Sequence, residues 1–387
     1  MNGSVEDWRE GGFGLYVHWP FCLAKCPYCD FNSHVWREVD QKRWREALLA
    51  EMRVMHARAP GRPVDTVFFG GGTPSLMPAE TVAALIREAD RLWGLSSTVE
   101  ITLEANPTSV EAERFRGYSE AGVNRVSMGV QALNDRDLKA LGRTHSAAEA
   151  RAAFDVARSV FDRVSFDLIY ARSGQTEDAW RDELREAIDM AIDHLSLYQL
   201  TIEPGTRFAD LYDLGKLSVP EDDAAATLYE ATQEICEAAG MPAYEVSNHA
   251  RPSAESQHNR LYWRYGDYAG VGPGAHGRLT RPSGRFATET IRDPSAWMIQ
   301  VEGQGDGLAS VAPVTSQEQA AEMLMMGLRL TEGVRLDRYA RLSGEEISQK
   351  RLHPLAEDGF IEIDSGQLRV TDAGRPVLNA VLRALLA

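Results

Sequence analysis

The sequence is poor in cysteine, short of positive charge and free of long apolar runs, and each shortage excludes something. Only 4 of 387 residues are cysteine, too few for a disulfide framework. Lys and Arg number 41 against 57 Asp and Glu, a formal net charge of −16. Such a surface repels phosphates, and with no basic run to offset it, nucleic acid is not expected as a partner. No segment approaches the roughly 18 consecutive apolar residues of a membrane-spanning helix. Residues 1–10 are polar, and the first apolar stretch, Leu15–Trp19, is too short for a signal peptide. The expected location is the cytoplasm, with peripheral contact at a membrane surface left open. The 44% hydrophobic and 25% charged composition is that of a globular protein, long enough for two domains.

Short β-rich runs alternate with helical stretches through the first half. Strands are expected at Leu15–His18, Thr66–Phe69, Thr98–Glu104, Arg125–Met128, Arg163–Ile169 and His194–Gln199. Helices are expected at Gln41–Arg58, Ala79–Leu92, Glu111–Ala121, Ala147–Ser159 and Glu177–Ala191. About six strand–helix repeats imply an α/β fold with a parallel sheet, open or closed into a full or partial barrel. Ligands in such folds sit beyond the C-terminal ends of the strands. The alternation weakens after Pro204. Residues 224–239 read as an amphipathic helix, Val246–Arg281 as a loop-rich stretch and Gly303–Gly307 as a linker. From residue 314, three helices and a hairpin turning at Asp364-Ser365-Gly366 make a winged-helix-like module. That module carries nine Lys and Arg against eleven Asp and Glu. A DNA-binding wing should be basic, so a packing or partner-contact role is expected. The expected division is 1–215, 216–313 and 314–387.

Three of the cysteines, Cys22, Cys26 and Cys29, lie in one short loop after the first strand, while Cys236 sits apart in a helical stretch as a small buried hydrophobe. Thiolates suit iron–sulfur clusters and zinc. A [4Fe–4S] cube held by three cysteines keeps one iron open to an outside ligand. The alternative is structural zinc, completed by His18 or His34. Downstream, Gly70-Gly71-Gly72-Thr73-Pro74 follows the second strand, where glycine permits close backbone approach. Glu104, Gln131 and Asp167 lie at or near later strand ends, and Arg143 follows twelve residues after Gln131.

The Cys-x3-Cys-x2-Cys spacing, with Tyr28 before the third cysteine, resembles the radical S-adenosylmethionine (SAM) superfamily. The resemblance implies that Cys22, Cys26 and Cys29 hold a [4Fe–4S] cluster whose open iron takes SAM. It further implies that Tyr16, Tyr28, Gly71, Gly72, Thr73, Glu104, Gln131, Arg143 and Asp167 form the SAM pocket. The glycine turn would meet the SAM amino group, Arg143 its carboxylate, and acidic residues the amino group or ribose hydroxyls. In that superfamily an electron from the cluster cleaves SAM to methionine and a 5′-deoxyadenosyl radical. The implied fold is a partial (β/α)6 radical SAM barrel with a C-terminal winged-helix-like module. Residues 171–175, Ala-Arg-Ser-Gly-Gln, depart from the Gly-Leu-Pro-Gly-Gln common in relatives.

Over nearly the whole chain the sequence is similar to the oxygen-independent coproporphyrinogen III oxidases and their relatives. Tyr16-Val17-His18-Trp19-Pro20-Phe21-Cys22 and Leu195–Thr206 carry that likeness. True oxidases have a further cysteine where this sequence has Phe31, and a long leader, whereas 21 residues precede Cys22 here. His258-Asn259-Arg260-Leu261-Tyr262-Trp263 instead matches the H-N-x-x-Y-W signature of the HemW haem chaperones, as does the stretch from Tyr268 to Gly277. The implied function is to bind haem and pass it to haem-requiring proteins such as respiratory enzymes, with homodimerisation linked to cluster assembly. Under this reading His258 ligates haem iron, with His249 and His276 as rivals, while Tyr262 and Trp263 pack the macrocycle. Taken alone, without the family likeness, those residues read instead as an aromatic cluster packing the barrel mouth, with His258 a satisfied hydrogen-bond donor. Two enzymatic readings compete: oxidative decarboxylation of coproporphyrinogen III, and methyl transfer by a radical SAM enzyme.

Overall fold

The computed structural model describes residues 7–36, 38–108 and 112–387. Its centre is an 11-stranded sheet. Seven strands run parallel: β1 (Phe13–Trp19), β4 (Val64–Gly71), β5 (Leu95–Ala105), β6 (Arg125–Gln131), β7 (Arg163–Tyr170), β8 (His194–Gln199) and β10 (Asp267–Val271). β2 (Phe21–Cys22) and β3 (His34–Val35) pair separately beside the end of β1. β9 (Asn248–Ala250) closes one edge antiparallel to β8. β11 (His276–Arg281), β12 (Gly284–Thr290) and β13 (Leu308–Pro313) extend the other. The sheet order β13-β12-β11-β10-β1-β4-β5-β6-β7-β8-β9 leaves two free edges, so the barrel is partial.

The two-residue period of the strands separates two chemistries. One face carries Leu15, Val17, Val67, Phe69, Ile101, Leu103, Val126, Phe166 and Leu195, all in the main apolar core. The helices cover that face. Gln41–Arg58 starts where the Asp40 side chain accepts from Arg43 N at 3.1 Å, and Ala147–Val160 starts with a Ser146–Glu149 capping box. The alternating residues line the concave face and are mostly polar: Tyr16, His18, Thr66, Glu104, Arg125, Ser127, Ser165 and Asp167. They bond to one another across strands, as in Arg125 Nη2 to Ser165 Oγ (2.8 Å) and Ser165 Oγ to Ser127 Oγ (3.0 Å).

All six expected strands and all five expected helices are present, although the part of the third helix at Glu111 lies outside the described residues. The reading of 246–281 as loop-rich is corrected. That stretch holds β9, β10, β11 and the helix Gln257–Trp263, and β10 lies directly beside β1, with Leu15 opposite Ala269. The division at 215 therefore cuts across one continuous sheet.

The terminal module has its own core, including Leu324, Leu342, Leu352, Leu368 and Leu385. Its sheet joins β14 (Val334–Arg335), β15 (Ile361–Asp364) and β16 (Gln367–Val370). Ser365 (φ 51°) and Gly366 (φ 80°) form the two-residue turn that left-handed geometry favours in hairpins. The barrel lends Tyr265 to this core. Buried Arg338 grips Asp7 with two bonds of 2.9 and 2.8 Å, fixing the module against the first residues described.

Candidate functional site

The C-terminal ends of the parallel strands surround a cavity of about 150 Å³. Cys22, Cys26 and Cys29 line it, together with Tyr28, Gly71, Gly72, Thr73, Glu104, Gln131, Arg143 and Asp167. Every expected cluster and SAM residue except Tyr16 is thus brought to one place. The three cysteines are unpaired thiols, and two of their sulfurs accept strong donors. Thr73 Oγ1 donates to Cys22 Sγ at 3.4 Å, and Arg143 Nη1 donates to Cys26 Sγ at 3.3 Å. Cys29 Sγ lies 3.9 Å from Ser33 Oγ. Burial pushes the Cys22 and Cys29 thiols up from the ordinary range, so ligation would have to draw off their protons.

Backbone shape explains the glycines. Gly71 has φ +113°, and a Cβ there would lie 2.6 Å from the His18 ring. A Cβ on Gly72 would lie 2.8 Å from Phe21 O. Glycine is therefore required to bring β4 against the cysteine loop. Gln131, with φ 75°, is left-handed without being glycine and sits at a register shift in the β6–β7 pairing. After β7, Ala171 (φ 56°) is left-handed without being glycine, and its buried neighbour Arg172 bonds Ile169 O at 2.7 Å and Asp137 at 2.8 Å.

The carboxyl groups are held unusually. Burial, helped by the nearby Asp167, pushes Glu104 up to about 8, and its Oε2 accepts Gly71 N–H at 3.2 Å. Burial also raises Asp167 to about 6, opposed by Ser196, Arg125 and Ser127. Arg143 Nη2 donates to Asn106 Oδ1 (2.7 Å) and Gly129 O (2.8 Å), and Asn106 Nδ2 donates to Thr73 Oγ1 (3.2 Å). A hydrogen-bonded chain thus runs from Cys22 through Thr73, Asn106 and Arg143 to Cys26. The sequence reading missed Asn106; its place at the end of the third strand, two residues past Glu104, was the available signal.

The zinc alternative is disfavoured by the imidazoles. His18 Nδ1 pairs with Tyr16 OH at 3.0 Å and Nε2 with Asn32 O at 2.9 Å, while His34 Nε2 meets Asn32 Oδ1 at 3.3 Å. Among the described residues no three His, Cys, Asp or Glu gather closely enough to share one metal ion. The three thiols line one cavity, a donor set that suits an iron–sulfur cluster, and Arg143 Nε, buried without a partner, leaves a donor in reserve.

A second cavity, of about 500 Å³, adjoins the first. Tyr16, Tyr262, Trp263 and Tyr268 line it with His276, Arg292 and Met326, and Phe31, Gly71 and Glu104 line both cavities. Tyr16, expected among the SAM residues, belongs to this second wall. Phe31 is 60% exposed at the junction.

His258 lies behind the cavity wall, away from both openings. The helix Gln257–Trp263 plugs the concave face near the N-terminal ends of the strands. His258 is 1% exposed and lines neither cavity. Its Nδ1 lies 2.7 Å from Thr66 Oγ1, its backbone N–H donates to Glu100 at 3.1 Å, and its ring stacks on Phe68 with centroids 4.7 Å apart. Burial, followed by the charge of Arg125, lowers its pKa to about 3. His249, also 1% exposed, lies in β9 and lines neither cavity. The one rival that reaches the second cavity is His276.

Two family models match: the radical SAM superfamily over residues 16–187 and the HemN C-terminal domain over 314–377. The Escherichia coli protein named heme chaperone HemW is 38% identical, covering 96% of this chain and 98% of its own. A zebrafish (Danio rerio) relative, named radical S-adenosyl methionine domain-containing protein 1, mitochondrial, is also 38% identical, covering 96% of this chain and 86% of its own. The E. coli coproporphyrinogen III oxidase HemN structure superposes with TM-score 0.81 over 99% of this chain and 92% of its own, at 22% identity; the likeness is one of fold. Fold and sequence together define a protein of the radical SAM superfamily, which implies a [4Fe–4S] cluster and SAM. Within that superfamily the chain belongs to the HemW family. No helix among the described residues is long and apolar enough to cross a membrane.

Proposed function

We propose that the protein is a cytoplasmic haem chaperone, binding haem and delivering it to haem-requiring proteins such as respiratory enzymes while carrying a [4Fe–4S] cluster and SAM. The observation that carries this reading is the aromatic-lined cavity of about 500 Å³ sharing Phe31, Gly71 and Glu104 with the thiol-lined one. A flat, mostly apolar ligand with a few polar groups suits such a wall. Full-length relatives named as haem chaperones support the same reading.

In this scheme Cys22, Cys26 and Cys29 hold the cluster, and Thr73 and Arg143 steady two of its sulfurs. When bound, cluster and SAM together supply one-electron reductive chemistry. Gly71 and Gly72 keep the backbone open to the SAM amino group. Glu104, raised to about 8, keeps its proton near neutral pH until a cationic group arrives to favour the carboxylate. Asp167 and Gln131 are placed for hydroxyl groups, Tyr28 for packing, and Arg143 for the SAM carboxylate. Tyr262 and Trp263 cover the haem. The exposed Leu23, Val35 and Trp36 flank the cysteine loop and suit an acceptor protein docking where the cargo leaves. Homodimerisation and peripheral membrane contact belong to the same proposal and are read by sedimentation and liposome flotation.

Anaerobic reconstitution followed by a haem titration and a coproporphyrinogen III assay tests the function. Stoichiometric haem uptake without decarboxylation is expected. Conversion of coproporphyrinogen III to protoporphyrinogen IX would replace the chaperone reading with the oxidase one, and a methylated product would favour the methyltransferase.

A further inference from the structure

The haem reading needs a ligand for the iron and a partner for the ring carboxylates, and the two buried histidines supply neither. His258 and His249 are each 1% exposed and line neither cavity. The His258 ring is packed between Phe68 and Tyr262, and His249 is paired with β8, so neither imidazole faces the cavity as folded.

His276 is placed differently. It opens β11, is exposed, and lines the second cavity. The chain reaches it through a tight approach: a Cβ on Gly274 would lie 2.4 Å from Asn32 Nδ2, and Gly274 N donates to Ile291 O at 3.0 Å. Asn32 Nδ2 in turn bonds both Pro273 O and Arg292 O at 2.9 Å. Asn32 therefore ties the start of β11 and residue 292 to the cysteine loop, setting His276 and Arg292 on one rim. Arg292 is exposed and lines the same cavity, and among the described residues its guanidinium has no carboxylate within ion-pair reach. Tyr262 and Tyr268, in edge contact at 4.4 Å between centroids, form the apolar wall.

Resting on the haem reading, we propose that this cavity is a metalloporphyrin site in which His276 supplies the axial imidazole and Arg292 receives a ring carboxylate. Neutral imidazole is a good iron ligand, and a guanidinium matches a carboxylate with directed, charge-assisted bonds. The shared wall at Phe31 and Gly71 sets the macrocycle beside the SAM pocket. Asn32 acts as a positioning residue for both groups.

The test is a ferric haem titration of the full-length, cluster-loaded protein, followed by the Soret band and by EPR. Ferric haem dimethyl ester serves as the probe without free carboxylates. His276→Gln is expected to shift the Soret band and weaken haem binding at least tenfold, and added imidazole should restore the band in His276→Gly. Arg292→Ala is expected to weaken haem binding several-fold with the band unmoved, and to leave the ester's affinity unchanged. Retention of the cluster absorbance in each variant establishes that the chain is folded. If the unmodified protein takes up no haem, the haem reading itself falls. If it takes up haem and His276→Gln keeps both band and affinity, this assignment alone is overturned. An equal loss of haem and ester in Arg292→Ala would overturn the carboxylate role.

Discussion

The cavity ringed by Cys22, Cys26 and Cys29 takes its walls from strand ends in chain order, at residues 71–74, 104–106, 127–131 and 167. The cavity beside it takes one wall from the cysteine loop, another from residues 262–292, and a third from Met326 of the terminal module. The first is polar and internally bonded, with Thr73, Asn106 and Arg143 joining two of its sulfurs. The second is walled by aromatic rings and carries two of its polar groups, His276 and Arg292, at an exposed rim. A parallel sheet prepares the first site by topology alone, since every strand ends on the same side. The second depends on the sheet's extension through β10 and β11 and on the docking of a separate module.

The sharpest break between the two is at the thiols. Changing Cys22, Cys26 or Cys29 to Ser should abolish the oxygen-sensitive brown chromophore, since Cys236 is buried elsewhere in the core. Iron and sulfide analysis after anaerobic reconstitution reads this. Stoichiometric zinc in the unmodified protein would mean that the first cavity serves another metal.

A smaller effect is expected within the polar chain. Arg143→Ala should leave the cluster assembled but cost about 2–5 kcal/mol of SAM binding, as truncating one partner of a desolvated charge pair does. Asn106→Ala should move the cluster's midpoint potential more negative, because hydrogen bonds to sulfur raise it and Asn106 holds both donors. Calorimetry with SAM and a redox titration by EPR measure the two. Unchanged values in both variants would detach this chain from the cluster.

Smaller again is the effect on the aromatic side. Trp263→Ala should weaken haem retention by about 1–2 kcal/mol, through lost packing area, without moving the Soret band. Cluster content and SAM affinity should stay as they were. A band shift would place the indole nearer the iron than the cavity wall suggests.

The difference between the cavities also decides what could be read from the sequence. The spacing of the cysteines and the glycine turn are local, and so are the alternating apolar positions that define β4 to β8; these were legible, and Gln41–Arg58 agrees to the residue. The strand Asp267–Val271 was not. Its Gly- and Ala-containing run looks like a loop until β1 is known to lie beside it. The burial of His258 was hidden for a related reason. A histidine beside aromatic residues suggests a ligand site, but the helix bearing it faces into the concave polar layer, where Thr66 meets Nδ1, Glu100 accepts the backbone N–H, and Nε2 is buried without a partner. Nothing local marked Arg292 or Met326, because only tertiary folding brings them to Tyr262.

His258 then offers the finest discrimination. Its ring is packed by Phe68, Tyr16 and Tyr262, with Thr66 bonded to Nδ1, Glu100 at its backbone N–H and Arg125 as the nearby cation. Burial and Arg125 hold its folded pKa at about 3, below the ordinary 6.5. The unfolded chain therefore binds the extra proton first as pH falls. The stabilisation from the neutral, buried ring is complete above 6.5 and is lost on acidification toward 3, at about 1.4 kcal/mol per pH unit. His249, lowered to about 4 by burial, adds a similar loss that ends sooner. His258→Gln keeps an amide able to bond Thr66 but removes one titration. Urea unfolding at pH 7, 6 and 5 should show the variant losing less stability per pH unit than the unmodified protein, while its haem band stays in place. Parallel stability curves would mean that His258 titrates normally and is reached by solvent. Such an accessible imidazole would return it to contention as the iron ligand.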